Sequence, residues 1–304
     1  MNHLADISHS EILNLQLVRM RKLAQHAGRI LLVLLLGGFV GATLVRLAPG
    51  FGADEEELDP RLSQHSIQAI RQSHEQGSLG QFYLHYWGRI LHGDLGTSIT
   101  LQQPVRHLLA ERFPETLKSV GLALALGWTL GLTLAIVAVM SRCWFVDLCT
   151  SLAAGVLLCI PAAVLALLFV IAHAPGRLVL GLVVFPKIFR YARNLLERSA
   201  EMPHVLTARA KGLGGMRVLL WHILPVAGPQ LLALAGVSVS LAFAAAIPVE
   251  VLCDLPGIGQ LAWKAALGRD LPLLVSLTMV VTALTLMANS ASDFLGHSLR
   301  GSAA

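Results

Sequence analysis

Long apolar runs separated by short polar stretches dominate the chain from residue 30 onward. A bilayer core of about 30 Å requires about 20 mostly apolar residues for each helical crossing. Five runs meet or approach the required length, and we predict a membrane-spanning helix for each: 30–47, 120–140, 145–171, 231–251 and 273–288. Pro161 interrupts the third of these runs, where it removes a backbone hydrogen bond and predicts a kink within a single span.

A sixth apolar run, 178–189, is short and is interrupted by Pro186 and Lys187, so hydropathy alone does not decide it. Basic residues crowd the segment that follows it and also precede the first run. Short basic loops stay on the cytoplasmic side of the membrane. Only a fourth crossing near 178–189 returns the basic segment to that side. We therefore predict an all-α polytopic protein with six transmembrane helices and both termini in the cytoplasm.

This topology predicts the organisation of the chain. Within the loop after the first span we expect two short amphipathic helices, one over 82–91 that Gly93 ends and one over 104–113 that Pro114 separates from the second span. The expected segments are a cytoplasmic stretch at 1–29, a first transmembrane helix at 30–49, an extracytoplasmic loop at 50–113, a five-helix core at 114–295 with a cytoplasmic loop at about 190–223, and a cytoplasmic tail at 296–304.

Composition supports the membrane assignment and argues against several functions. The chain is 55% hydrophobic and 13% charged, whereas soluble domains carry about 25% charged residues. The net charge of +5 follows from loop topology. We therefore expect the protein to contact membrane lipid and not to bind nucleic acid. The four cysteines have no metal-ligand spacing, and no phosphate-binding, HExxH or GxSxG motif occurs. We therefore expect no catalytic residue, no bound metal and no cofactor.

One alternative would be an acid–base or metal cluster of His85, His92 and Asp94. The two histidines lie two helical turns apart, about 10 Å along the axis, which is too far to share a metal without a bend. We therefore favour interfacial histidines without chemistry.

Residues 190–225 form the most unusual stretch of the sequence. Pro203 suits the first turn of a short helix, basic residues suit its last turn, and Gly212, Gly214 and Gly215 predict its end. A second helix then returns to the membrane at a Leu-Pro pair. An ordinary basic cytoplasmic loop would explain the charges. A short helix that is rigidly joined to two membrane helices would in addition transmit a push from a partner.

The stretches LTARAKG at 206–212 and HILP at 222–225 resemble the coupling-loop pattern EAAxxxG…IxLP of permease subunits from bacterial ABC importers. TARAKGL is similar to the oligopeptide, dipeptide and nickel branch. Further stretches that resemble this branch occur in the same order: RLAPG at 46–50, LDPRLS at 58–63, HGDLGTS at 92–98, QPVRHLLAERFPETL at 103–117, LPGIGQL at 255–261 and GRDLPLL at 268–274.

The resemblance implies a type I importer permease of the bacterial inner membrane. It also implies a second permease subunit in a heterodimer in which this chain is the B-like member, two cytoplasmic ATPase subunits and an extracytoplasmic solute-binding protein. Small peptides are the implied substrates, with nickel as the second choice. A non-transporting receptor or scaffold is the alternative. Three departures bear on the partners: Leu206 replaces a usual arginine, Pro203 and His204 replace a customary acidic–aromatic pair, and only HAPGR at 173–177 separates the third and fourth spans.

The resemblance also assigns roles to individual residues. The ATPase-coupling set is Val205, Thr207, Ala208, Arg209, Ala210, Lys211, Gly212, Leu224 and Pro225. The extracytoplasmic motif set is Gly93, Asp94, Leu95, Gly96, Pro256, Gly257 and Gly259.

Overall fold

The computed structural model describes residues 28, 31–33, 35–40, 43, 88–89, 94–141 and 143–301. This part of the chain is almost entirely helical and contains no β-strand. Residues 31–33 and 35–40 are helical. From residue 105 onward the elements are α1 (Val105–Ser141), α2 (Trp144–Cys159), α3 (Ala162–Ile171), α4 (Gly176–Ala200), α5 (Pro203–Ala210), α6 (Gly215–Val218), a π-helical segment (Leu219–Ile223), α7 (Leu224–Leu252), α8 (Ile258–Leu267) and α9 (Leu271–Gly301).

The described residues contain three helical stretches that are long and apolar enough to cross a membrane: α1, Gly215–Leu252 and Leu271–Gly296. The α2–α3 pair is a fourth candidate. The predicted all-α membrane architecture is therefore confirmed, while the count of six remains a prediction. α4 covers the short run at 178–189 with a helix of 25 residues. Its charged C-terminal half lowers its hydropathy below that of the other spans.

The predicted helix boundary at Pro114 is wrong. Pro114 lies inside α1 and does not separate two helices. Leu108 and Leu109, about one and a half turns earlier, are buried in the core and anchor the amphipathic turns in line with the rest of α1. The carbonyl that Pro114 leaves without a helical donor belongs to exposed Ala110, where water can reach it.

Pro161 does more than kink the third run. α2 and α3 meet at an angle of 93°. Ile160 adopts an extended conformation with φ −83° and ψ 120°, which is the region that a following proline favours. The chain therefore turns a corner between two helices where the sequence analysis expected one bent span.

Close packing of α1 against α4 depends on glycine. A Cβ at Gly131 would lie 3.0 Å from the Phe189 backbone nitrogen, and one at Gly127 would lie 3.2 Å from Ile188 Cδ1. On the facing helix, a Cβ at Gly181 would lie 3.3 Å from the Leu126 side chain. Small residues four positions apart let membrane helices approach closely. α4 is thereby held against α1 by its backbone as well as by its side chains.

Buried apolar side chains form two clusters. The first includes Leu196, Val205 and Ile223 and joins α4 and α5 to the segment that leads into α7. The second includes Val105 and Ile258 and joins the start of α1 to α8 and α9. α7 has 29 residues, which is about 43 Å at 1.5 Å per residue. α1, α4 and α7 each contribute buried residues to both clusters, so these three helices connect the α5 end of the molecule to the α8 end.

Candidate functional site

α5 begins at a defined start. Met202 is the N-cap residue in an extended conformation and Pro203 occupies the first helical position, as predicted. Proline fits there because the first backbone nitrogens of a helix have no helical acceptor. The Val205 N–H donates to the Met202 carbonyl at 2.9 Å, and the Thr207 hydroxyl donates to the Pro203 carbonyl at 3.0 Å. These bonds fix the direction in which α5 leaves α4.

α5 ends in a Schellman motif centred on Gly212. The Gly212 N–H donates to the Arg209 carbonyl at 2.9 Å, and the Leu213 N–H donates to the Ala208 carbonyl at 3.3 Å. Gly212 has φ +78°, a conformation that glycine adopts without steric cost. Gly214 and Gly215 do not extend this stop, because Gly214 is the N-cap residue of α6 and Gly215 is its first residue.

The two faces of α5 have different surroundings. Val205 and Ala208 are buried in the same apolar cluster as Val218 and Ile223, and Leu224 packs against that cluster. The remaining members of the predicted coupling set are exposed or half-buried: Thr207, Arg209, Ala210, Lys211, Gly212 and Pro225. The structure therefore fixes α5 to the start of α7 through an apolar face. The opposite face of α5, which consists mostly of small and polar residues, is exposed.

The connection between α5 and α7 contains an element that the sequence analysis missed. Leu219–Ile223 forms a π-helical segment. Pro225 cannot donate to the Trp221 carbonyl, which removes one α-helical bond directly after this segment. The His204 ring Nε2 lies 3.2 Å from the His222 carbonyl oxygen and ties α5 to the π-helical segment. The Leu-Pro pair was the sequence signal for this irregularity.

A charged cleft lies beside α5. Its volume is about 340 Å³, and Trp144, Asp147, Arg193, Glu201 and Arg209 contribute to its walls. Within it, Arg193 Nε donates to Asp147 Oδ1 at 2.7 Å, and Arg193 Nη1 lies 3.2 Å from Glu197 Oε2. The first ion pair joins α4 to α2. Arg209 therefore faces a polar surface that three helices build.

At the α8 end, the loop before α1 is held together by Asp94. The Gly96 N–H donates to Asp94 Oδ1 at 2.8 Å, and Arg89 Nε donates to Oδ2 at 2.9 Å. These hydrogen bonds, the Gly96 bond first, lower the pKa of Asp94 below its usual value. Gly96 has φ +80°, and Leu95 packs on the core. Gly93 lies outside the described residues, as do His85 and His92.

Asp270 connects this loop to α9. It is fully buried, accepts the Thr100 N–H at 3.1 Å and the Leu273 N–H at 3.1 Å, and also accepts the Ser98 hydroxyl. The Leu273 bond is an N-cap interaction for α9. The predicted site set omitted Asp270, although Asp before Leu-Pro at a helix start was a recognisable capping signal.

Pro256, Gly257 and Gly259 lie where α8 begins, directly over the end of α7. Gly257 is the N-cap residue of α8. The Gly259 N–H donates to Glu250 Oε2 at 2.7 Å. The two glycines are buried against this carboxylate. The described members of the predicted extracytoplasmic motif set thus fall into two groups, one around Asp94 and one around Glu250.

Comparison with known proteins identifies the family. Residues 127–301 match the family described as binding-protein-dependent transport system inner membrane component. The chain belongs to this family of transport permeases. The permease is 30% identical to the oligopeptide transport system permease protein OppB of Escherichia coli K12, over 79% of this chain and 85% of that protein.

Two further similarities agree. The permease is 28% identical to the di/tripeptide transport system permease protein DppB of Pseudomonas aeruginosa, over 86% of this chain and 94% of that protein. Its fold is similar to a chain of the MetNI methionine ABC transporter in an inward-facing conformation, with a TM-score of 0.56 and 18% identity over 64% of this chain and 97% of that chain.

Family membership confirms several predictions. The permease is a multi-pass inner-membrane protein and a transport component, and its relatives are not enzymes. The alternative of a receptor or scaffold without transport is not favoured. The family works in general with ATPase and solute-binding partners.

Proposed function

We propose that this permease forms half of the translocation pathway of an ATP-driven importer of small peptides. Its partners are a second, different permease subunit, two cytoplasmic ATPase subunits and an extracytoplasmic solute-binding protein, with this chain as the B-like member. The peptide permeases OppB and DppB among its relatives support the substrate class. Nickel or a nickel chelate is the second candidate substrate.

In this proposal α5 is the coupling helix and faces the cytoplasm together with both termini. The observation that supports this role is that α5 has one buried face and one exposed face. Val205 and Ala208 are buried against the start of α7, while Thr207, Ala210 and Lys211 are exposed. A partner that grips the exposed face displaces α5 as a unit, because the buried face is packed on the core.

The exposed face also contains the departure from the family pattern. Leu206 is 55% exposed, so an apolar side chain stands on the partner-facing surface in place of arginine. We expect the ATPase subunit of this system to offer an apolar contact at that point. Arg209 lies at the charged cleft beside α5. We expect it to supply an ionic contact with the same ATPase subunit.

The test uses the complete transporter in membrane vesicles. Arg209→Glu reverses a charge beside the contact, and Gly212→Pro forces φ to about −65° where the native residue has a positive φ. Both variants are expected to insert in normal amounts and to lose ATP-dependent uptake of trialanine, while the ATPase subunits still hydrolyse ATP. Arg217→Glu, an equal charge change on exposed α6, is the matched control and keeps uptake.

Wild-type uptake in both α5 variants would contradict the coupling role. Purification of the intact complex followed by mass spectrometry of the molecule on its binding protein identifies the substrate independently. A bound peptide supports the proposed substrate class, and a bound nickel chelate replaces it with the second candidate.

A further inference from the structure

The first turn of α8 is capped by side chains from other helices. Its own N-cap residue is Gly257, which has no side chain to offer. The Ile258 N–H donates to the Thr116 hydroxyl oxygen of α1 at 2.7 Å. The Gly259 N–H donates to Glu250 Oε2 of α7 at 2.7 Å.

This cap is buried. Glu250 is 1% exposed and Thr116 is 0% exposed. A buried carboxylate is stable only where hydrogen bonds and favourable dipoles replace its hydration. Here the Gly259 N–H and the positive end of the α8 dipole stabilise Oε2, while Oε1 has no hydrogen-bond partner among the described residues. Removal of the carboxylate would leave the Gly259 N–H buried without an acceptor. The donor and the acceptor therefore each depend on this hydrogen bond.

The two glycines of LPGIGQL make room for the carboxylate. A Cβ at Gly257 would overlap the Glu250 carboxyl group, and one at Gly259 would lie 2.8 Å from Glu250 Oε2 and 2.7 Å from the Ile247 Cα. Gly257 has φ −106°, which any residue adopts. The requirement for glycine at 257 is therefore steric and depends on the presence of Glu250.

The cap lies close to one of the two prolines inside α7. Pro248 is inside α7, two residues before Glu250, and proline removes a backbone bond and favours bending. The short connection 253–257 that follows is not helical and includes a further proline, which has no N–H to donate. Glu250 and Thr116 thus join α8 to α7 and α1 across this connection, in addition to the backbone hydrogen bond from the Leu255 N–H to the Glu250 carbonyl.

We propose that Glu250 and Thr116 are positioning residues for transport, which lock α8 to α7 and α1 so that the three helices move as one body. The proposal rests on the proposed function, in which α5 at the other end of α7 is displaced by the ATPase. Displacement of α5 reaches α8 through α7. Without the cap, the motion of α7 is not passed on to α8 and ATP is hydrolysed without matching uptake.

Apolar packing is the competing explanation. Ile258, Leu261 and Ala265 of α8 are buried in the core, and they would hold α8 in place without Glu250 if packing were sufficient. The two explanations differ in what they predict for Gly257. If the cap decides the position of α8, the cost of a methyl group at 257 depends on Glu250.

The experiment measures trialanine uptake per ATP hydrolysed by the complete transporter reconstituted in liposomes. Glu250→Ala is expected to lower this ratio by about fivefold or more, the lower end of ordinary coupling effects, with ATP hydrolysis retained. Glu250→Gln keeps most of the ratio because its amide oxygen still accepts the Gly259 N–H. Asp254→Ala removes an exposed carboxylate whose single hydrogen bond within the described part of the chain comes from the Gln260 side-chain amide. It is the matched control with an unchanged ratio.

A second measurement does not require transport. Gly257→Ala is expected to lower the unfolding midpoint of the purified permease in the wild-type background and to have little further effect in the Glu250→Ala background. An unchanged transport ratio in Glu250→Ala would overturn the positioning role. An equal penalty of Gly257→Ala in both backgrounds would overturn the steric dependence. Absence of ATP-dependent uptake by the wild-type complex would instead contradict the proposed function, and the Gly257 comparison would still test the cap.

Discussion

The stop signal of α5 allows a quantitative prediction. Gly212 has φ +78°, and no heavy atom lies within 4 Å of the position that a Cβ would take. Gly212→Ala therefore adds no clash. Its only native-state cost is the backbone conformation, which makes the substitution a clean measure of how much the Schellman motif contributes.

The magnitude follows from two opposing terms. A left-handed conformation costs an L-residue roughly 1–2 kcal/mol. Alanine also restricts the unfolded chain, which returns about 0.4–1 kcal/mol. The net destabilisation is therefore about 1 kcal/mol, or about a fivefold change in the equilibrium for unwinding this turn. Gly212→Asn is expected to cost less, because asparagine tolerates this conformation.

Denaturant titration of the purified permease measures the effect, and uptake by the complete transporter measures its consequence. Gly214→Ala is the matched control. It also has no neighbour within 4 Å among the described residues, but its φ is −63°, so the left-handed penalty is absent and only the unfolded-chain effect remains, which stabilises by about 0.4–1 kcal/mol. Equal effects of Gly212→Ala and Gly214→Ala would refute the conformational argument. A Gly212→Asn variant that is no more stable than the Gly212→Ala variant would refute it as well.

Three other predictions concern packing and buried charge. Gly131→Ala is expected to lower the free energy of unfolding by about 1–3 kcal/mol, because its Cβ would lie 3.0 Å from the Phe189 backbone nitrogen. Gly121→Ala, with no neighbour within 4 Å among the described residues, is the control and should be neutral or stabilising. Equal costs of the two substitutions would contradict the close-packing account. Asp270→Ala leaves buried N–H donors without an acceptor and should cost about 3 kcal/mol or more in the same denaturant titration, whereas a cost below about 1 kcal/mol would show that the loop is held by other contacts. A double-mutant cycle of Asp147→Ala and Arg193→Ala should give a coupling energy of about 0.5–1 kcal/mol that decreases with salt, and zero coupling at low salt would show that the ion pair does not join α2 to α4.

The sequence predicted α5 well because its limits depend on local chemistry. Proline at the first helical position and glycine after the last one act through backbone conformation alone. The same reasoning failed for Pro114, and for Pro161 it predicted the kink but not its size. One proline lies in a turn that buried leucines hold in line with the rest of α1, and the other follows an extended residue at a corner. Tertiary packing decides between these outcomes, and hydropathy does not report it.

The buried polar contacts at the α8 end were beyond single-sequence reasoning for a different reason. Ser98 and Asp270 are 172 positions apart, and Thr116 and Ile258 are 142 apart. Nothing in either local sequence names the other partner. The sequence did indicate that glycines matter in LPGIGQL. It did not indicate that a carboxylate nine residues before Gly259 is the reason.

The most direct test of the central claim is the side of the membrane on which α5 lies. Lys211, which is exposed at the end of α5, is replaced by cysteine in a background where Cys143, Cys149, Cys159 and Cys253 are alanine. Intact cells are then treated with a membrane-impermeant maleimide before and after permeabilisation of the inner membrane. The account predicts labelling only after permeabilisation. Labelling in intact cells would place α5 outside, where no ATPase reaches it, and would contradict the account.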